Sequence, residues 1–304
     1  MKSAIDKISS LWSKPEPVKK VAPPARVKRL EPSPADLALA KYSGDPAIVA
    51  AHAIWGAGRL WPADTAFEQR ASGYFNLASD KIVGVLAAGT GAAAIGIANH
   101  LPTFVYGYDW RALAEVPGTQ FVKESGHGAK VLLRTINLDT VIPAPRKCEG
   151  LIAIEPVLTR SQERMLDWLR LSVSGGGQIV LEEPSVDNSS GFDPMANWFA
   201  DMDNKDCDWQ GPGSRKNALE QAGFSVGRVQ ETTGGAVRVI REALDGVAAA
   251  DAEICKAIEL APILEPVREF FEKEVNAARN RLRALESGGV AVYRYRAIKQ
   301  RVGG

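Results

Sequence analysis

The segment Val85-Leu86-Ala87-Ala88-Gly89-Thr90-Gly91-Ala92-Ala93-Ala94 constrains this chain more than any other: an apolar run passes through a glycine turn directly into a stretch of small residues. A run without polar interruption predicts a strand buried on both faces, and the alanines after the turn predict a helix. The same rhythm continues along the chain. Lys81 to Ala88 reads as the first strand, Ala92 to Asn99 as a helix, and Phe104 to Tyr108, Lys130 to Ile136 and Leu151 to Ile154 as further strands. Thr159 with Gln162 offers a capping box for a helix whose Met165, Leu166, Leu169 and Val173 share a face, Gly175 to Gly177 end it, and Gln178 to Glu182 form the fifth strand. Asn217 to Ala222 reads as a helix and Phe224 to Val229 as a strand. A long helical region follows, with Val267, Phe270, Phe271, Ala278, Leu282 and Leu285 at spacings of three and four, and Val290 to Ile298 forms the last strand. Strands alternating with helices imply an α/β architecture, a mostly parallel sheet covered on both faces.

The 304 residues divide unevenly. Residues 1–45 carry Pro15, Pro17, Pro23, Pro24, Pro32 and Pro34 among lysines and arginines and read as a disordered basic tail, leaving 46–300 as the folded domain. Ile5, Ile8, Leu11 and Trp12 recur at helical spacing, and residues 1–30 hold eight basic side chains and two acidic ones. Contact with an anionic membrane surface or an acidic protein fits that pattern; a solvated tail explains the same residues. A net charge of +1 argues against nucleic acid as a partner. The scattered Cys148, Cys207 and Cys255 suggest reduced thiols rather than a disulfide framework, and His52, His100 and His127 are too dispersed for a metal site. No window approaches the roughly 18 to 20 apolar residues of a membrane span. The expectation is a cytoplasmic protein whose tail is solvated, with peripheral contact at the inner membrane surface as the alternative.

Chemistry concentrates at the glycine turn. Gly89 and Gly91 let the backbone approach a ligand closely, and the helix after them presents free N–H groups, although a tight turn without ligand needs the same glycines. Asp109 lies eighteen residues beyond Gly91, at the end of the second strand, where a carboxylate can accept from ribose hydroxyls. Asp139 follows the third strand and could accept the adenine amino group. Both a nicotinamide dinucleotide and S-adenosylmethionine suit this geometry, so an oxidoreductase stays open on these residues alone.

The order of segments resembles the small-molecule class I methyltransferases, in particular those similar to phosphoethanolamine and related amine methyltransferases. Over about residues 50–300, Trp55-Gly56-Ala57-Gly58-Arg59-Leu60-Trp61-Pro62 resembles the lead-in segment, Val85 to Ala94 the cofactor loop, and Tyr106-Gly107-Tyr108-Asp109 the ribose-binding strand end. Ser174 to Pro184 resembles the passage into the fifth strand, Ala222-Gly223-Phe224 the strand-six lead-in, and Ala284 to Gly288 with Tyr293 to Ala297 the C-terminal ending. The resemblance implies a Rossmann-like sheet of seven strands, the last antiparallel, with helices on both faces and a helical insertion before that strand. It implies S-adenosylmethionine as cofactor, with Gly89, Thr90, Gly91, Asp109, Trp110 and Asp139 binding it and Glu155 as the catalytic group near the transferable methyl. The acceptor would be a small molecule or lipid head group over the ends of strands four and five, beneath residues 185–215, where Trp198, Trp209, Asp201 and Asp203 could hold a cation. Methyl transfer to an amine or thiol draws mainly on alignment, so the lack of an acid–base triad is compatible with it. Two features depart from the family. Ala87 stands where active relatives usually carry an acid, and Trp110 to Gly128 looks too short and glycine-containing for a full helix. They motivate the alternative of a non-catalytic methyltransferase-like binding or regulatory module.

Overall fold

The computed structural model describes residues 45–63, 65–138, 140–155, 161–186 and 209–301. The tail up to residue 44 lies outside the described residues, as do Asp139, Trp198, Asp201, Asp203 and Cys207. In chain order the elements are α1 (Pro46–Trp55), α2 (Thr65–Ser72), β1 (Ile82–Leu86), α3 (Ala92–His100), β2 (Phe104–Asp109), α4 (Glu115–Glu124), β3 (Val131–Thr135) and β4 (Cys148–Ile154). They continue with α5 (Gln162–Ser172), β5 (Val173–Val186), α6 (Pro212–Gln221), β6 (Phe224–Glu231), α7 (Thr233–Asp245), α8 (Val247–Leu260), α9 (Glu265–Glu286) and β7 (Val290–Lys299).

One seven-stranded sheet runs β3-β2-β1-β4-β5-β7-β6. The first five strands pair in parallel, and β7 is antiparallel to both β5 and β6. The sheet thus grows outward from β1 in one direction and from β4 in the other. The crevice between their carboxyl ends is the topological switch point, where open α/β sheets receive ligands. β1 is apolar throughout because both its faces are covered. Val83 and Val85 join a core with Ile48 of α1, Ile97 of α3 and Phe271 of α9, while Ile82 and Leu86 join another with Met165, Trp168 and Leu169 of α5 and Leu219 of α6. The predicted helical insertion is α7 to α9, and α9 packs along α1 and α7.

Several local expectations are revised. Ser161, not Thr159, caps α5, its hydroxyl accepting from the Arg164 amide at 3.3 Å; Thr159 lies outside the described residues. Gly175 to Gly177 do not stop that helix, which ends at Ser172. The chain passes directly into β5, and the glycines sit where the β4–β5 register slips between Cys148 and Gly150. The passage from Trp110 to Gly128 does hold a helix. Pro117 falls in the first turn of α4, where its missing N–H would have had no helical partner anyway. Gly118 serves close packing, because a Cβ there would lie 3.0 Å from the Thr90 Cα. A proline and a glycine that read as breakers are a helix start and a contact point.

Candidate functional site

The glycine turn sits at the switch point, as its position after β1 dictates. Ala87 enters it with φ +62°, Gly89 has φ +55° and Gly91 φ +105°. For Ala87 the left-handed backbone costs about 1–2 kcal/mol, which the surrounding packing must offset. The Ala88 amide donates to the Tyr108 carbonyl at 3.1 Å and the Gly89 amide to Asp109 Oδ2 at 2.8 Å, so the turn is fastened to the tip of β2.

Around the turn, residues of the lead-in segment meet Arg111, to which the sequence reading gave no role. Asp109 Oδ1 accepts from the Arg111 amide at 2.9 Å and from Arg111 Nη1 at 3.2 Å. Asp109 and Arg111 are 5% and 6% exposed, so this ion pair is buried. The guanidinium lies over two rings, its Cζ 4.6 Å from the centroids of both Trp61 and Trp110. Leu60 and Trp61, both buried, come down on Gly89: a Cβ there would meet Leu60 Cγ at 3.2 Å and the Trp61 ring at 3.4 Å. At the start of α3 the Ala92 amide, one of the donors a helix N-terminus offers an anion, is taken by the Gly58 carbonyl at 3.1 Å. The Thr90 hydroxyl is hydrogen-bonded to His52 Nε2 at 2.6 Å. Among the described residues, the hollow lined by Gly89, Gly107, Asp109 and Leu133 has no room for a water molecule.

Burial holds the His52 imidazole well below its ordinary value, at about 4. The unfolded chain takes up that proton near pH 6.5 and the folded chain only near 4, so the contribution of neutral His52 is complete above pH 6.5 and is lost as pH falls toward 4. The shift corresponds to about 3 kcal/mol. Urea unfolding between pH 7 and 4 should show a loss of that order, and His52→Gln should flatten that part of the profile; an unchanged slope in the variant would refute the assignment.

A second compartment lies next to residues 62–63. It is a cavity of about 490 Å³ at the end of β4 and beside Glu182 of β5, lined by Glu155, Glu182, Arg294, Phe67, Tyr74 and the first residues of α7. Glu155 follows β4 with φ +45°, its amide donating to the Glu182 carbonyl at 2.7 Å. Glu182 is ion-paired with Arg294 and accepts from the Thr232 hydroxyl at 3.3 Å; burial raises its carboxyl above the usual range despite that arginine. The segment between the two compartments is shared, with Leu60 and Trp61 on Gly89 while Pro62 and Ala63 line the cavity. Arg59 anchors it to Glu68 of α2 at 2.6 Å.

Of the candidate cofactor residues, Gly89, Thr90, Gly91, Asp109 and Trp110 are therefore brought together around one turn, and Glu155 lies in the neighbouring cavity. Asp139 lies outside the described residues. Of the acceptor-binding candidates Trp209 alone is described, packed half-buried against the larger core.

Solved structures with this architecture are numerous. Phosphoethanolamine N-methyltransferase 2 of Haemonchus contortus, solved with phosphomonomethylethanolamine and S-adenosylhomocysteine, superposes with a TM-score of 0.67 at 12% identity, over 88% of this chain and 60% of that one. The fold is that of the class I methyltransferases. The cyclopropane synthase MmaA2 of Mycobacterium tuberculosis shares the fold at TM-score 0.64 and 12% identity, over 80% of this chain and 86% of that one. So does the [4+2]-cyclase SpnF, at 0.60 and 14%, over 79% and 81%. The chain spans only three-fifths of the length of the Haemonchus enzyme. No family model and no curated protein matches the sequence. The methyltransferase fold implies an adenosyl cofactor at the glycine turn, and the backbone there has the required form. The side chains over it do not fit that group as they stand, because Arg111 engages Asp109, the carboxylate that the resemblance leads one to expect at the ribose, and Leu60 and Trp61 cover Gly89.

Proposed function

We propose that this chain is an S-adenosylmethionine-dependent methyltransferase acting on a small molecule or lipid head group. One observation carries the reading: in the methyltransferase sheet the Gly89 turn bonded to Asp109 lies under Leu60 and Trp61, and the next two residues, Pro62 and Ala63, line a cavity of about 490 Å³ that holds Glu155 and the Glu182–Arg294 pair. Two of the solved neighbours are a phosphoethanolamine N-methyltransferase in complex with phosphomonomethylethanolamine and a geranyl diphosphate methyltransferase in complex with GPP, and a cavity of this volume falls in the range of small-molecule pockets. Gly89, Thr90, Gly91, Asp109, Trp110 and Asp139 are the cofactor-binding set in this reading, and Glu155 is the carboxylate nearest the chemistry. Calorimetry on the full chain with S-adenosylmethionine, S-adenosylhomocysteine and NADH tests it, together with methyl turnover over a panel of amines and lipid head groups. Binding of NADH alone refutes the proposal, and Glu155→Gln with an unchanged kcat removes Glu155 from it.

A second reading is a non-catalytic module that uses the cavity to bind a ligand. It is favoured by Ala87 in the acidic position and by the Asp109–Arg111 pair. S-adenosylhomocysteine binding without turnover on any acceptor would select it.

The tail belongs to the proposal as a peripheral contact of a cytoplasmic protein with an anionic membrane surface. No helix among the described residues is long and apolar enough to cross a membrane. Liposome sedimentation of the full chain against one lacking residues 1–40 decides, since equal sedimentation removes the contact.

A further inference from the structure

We infer that Arg111 is a built-in occupant of the ribose position and determines whether an adenosyl cofactor enters; the inference rests on the methyltransferase reading above. Of the roughly four acceptor sites on the carboxylate that would receive two ribose hydroxyls, three are already taken, two of them by Arg111. Asp109 Oδ2 accepts from Gly89, and Oδ1 accepts from both the amide and the Nη1 of Arg111. A guanidinium satisfies a carboxylate better than a neutral hydroxyl does, since its hydrogen bond is charge-assisted.

The ion pair is held in place by more than charge. The Arg111 Cζ lies over both the Trp61 and the Trp110 ring, 4.6 Å from each centroid, and planar arginine stacks on aromatic rings in a way lysine cannot. These rings come from opposite ends of the site. Trp110 is the neighbour of Arg111 in sequence, whereas Trp61 belongs to the segment that also covers Gly89 and walls the second cavity. Moving the guanidinium therefore means parting Trp61 from it, and Trp61 leaving Gly89 opens the turn. Arg111, Trp61 and Leu60 act as one closure, tied down by the Arg59–Glu68 pair at its root.

Binding at this turn accordingly requires displacing a buried arginine, and apparent affinity falls by the fraction of molecules in which it is displaced. Isothermal titration of S-adenosylhomocysteine into full-length wild type, Arg111→Ala and Trp61→Ala, with circular dichroism to verify folding, tests the closure. The expected result is at least a tenfold tighter dissociation constant for Arg111→Ala than for wild type, and an intermediate gain for Trp61→Ala, which keeps the ion pair. Tryptophan emission supplies a readout independent of activity: it should change on ligand addition in wild type, where Trp61 must part from Arg111. Equal affinities in wild type and both variants overturn the inference and leave the methyltransferase reading intact. Absence of binding to all folded proteins overturns the methyltransferase reading instead, and the closure with it. Should Arg111→Ala fail to fold, Trp61→Ala decides on the same terms.

Discussion

Arg215→Ala is expected to destabilise the domain by about 3–5 kcal/mol, the cost of leaving one member of a buried ion pair alone. Arg215 of α6 and Glu183 of β5 are each 1% exposed and ion-paired, and Arg215 also donates to the Gln162 side chain at the start of α5. One guanidinium thereby ties two helices to the middle of the sheet. Burial pushes the Glu183 carboxyl above its usual range, with Arg215 as the opposing influence, so losing the arginine leaves a carboxyl that must stay protonated or remain an uncompensated charge. For a domain of this size the midpoint of thermal unfolding should fall by roughly 10 °C. Replacing both partners, Arg215→Met with Glu183→Met, should recover most of the loss, because apolar side chains of similar volume need no partner. A double variant as unstable as the single one would show that the ion pair is not the cause.

Gly91→Asp should be comparably damaging, and for a local reason. Gly91 is the N-cap of α3 with φ +105°, a conformation L side chains rarely adopt, and a Cβ there would stand 2.9 Å from Val122 Cγ2 and 3.2 Å from Leu133. Backbone strain, overpacking against α4 and β3 and a buried carboxylate add to upward of about 4 kcal/mol. Gly91→Ala carries the first two costs only and should be milder. Urea unfolding of both variants gives the ranking, and an aspartate variant as stable as wild type would mean that the turn is not packed in this way. Gly91→Asp thus reports on the fold, and a loss of ligand binding in it would not identify the pocket. Arg111→Ala adds no bulk to the turn, but it too leaves a buried carboxylate, Asp109, without its arginine, so its binding result counts only with folding verified and beside Trp61→Ala.

The elements most legible in the sequence were those set by local pattern. The apolar runs of β1 and β4 follow from burial on both faces, and the turn at Gly89 and Gly91 follows from backbone freedom. Asp109 is recognisable because a strand ends there. Where the reading slipped, the residue types were ambiguous out of context. Pro117 and Gly118 are breakers in most settings, yet one occupies the first turn of α4 and the other the place where that helix meets Thr90. The glycines at 175–177 look like a helix stop and instead lie in β5.

The closure over the turn left a fainter trace. Arg111 stands two residues after Asp109 and could be suspected from proximity, whereas Trp61, although part of the lead-in segment, is fifty residues away and no spacing pairs it with Arg111. His52, bonded to Thr90, gave no signal beyond being a histidine in an apolar helix.

Periodicity and backbone chemistry, both properties of short stretches, were enough for the sequence alone to determine a parallel α/β sheet with a glycine turn and a carboxylate at neighbouring strand tips. Whether that turn stands open or covered depended on side chains from α1, the 56–63 segment and β2 meeting in space. Only the tertiary structure decides such contacts, because they arise from how the sheet and its helices bring distant residues into one small volume.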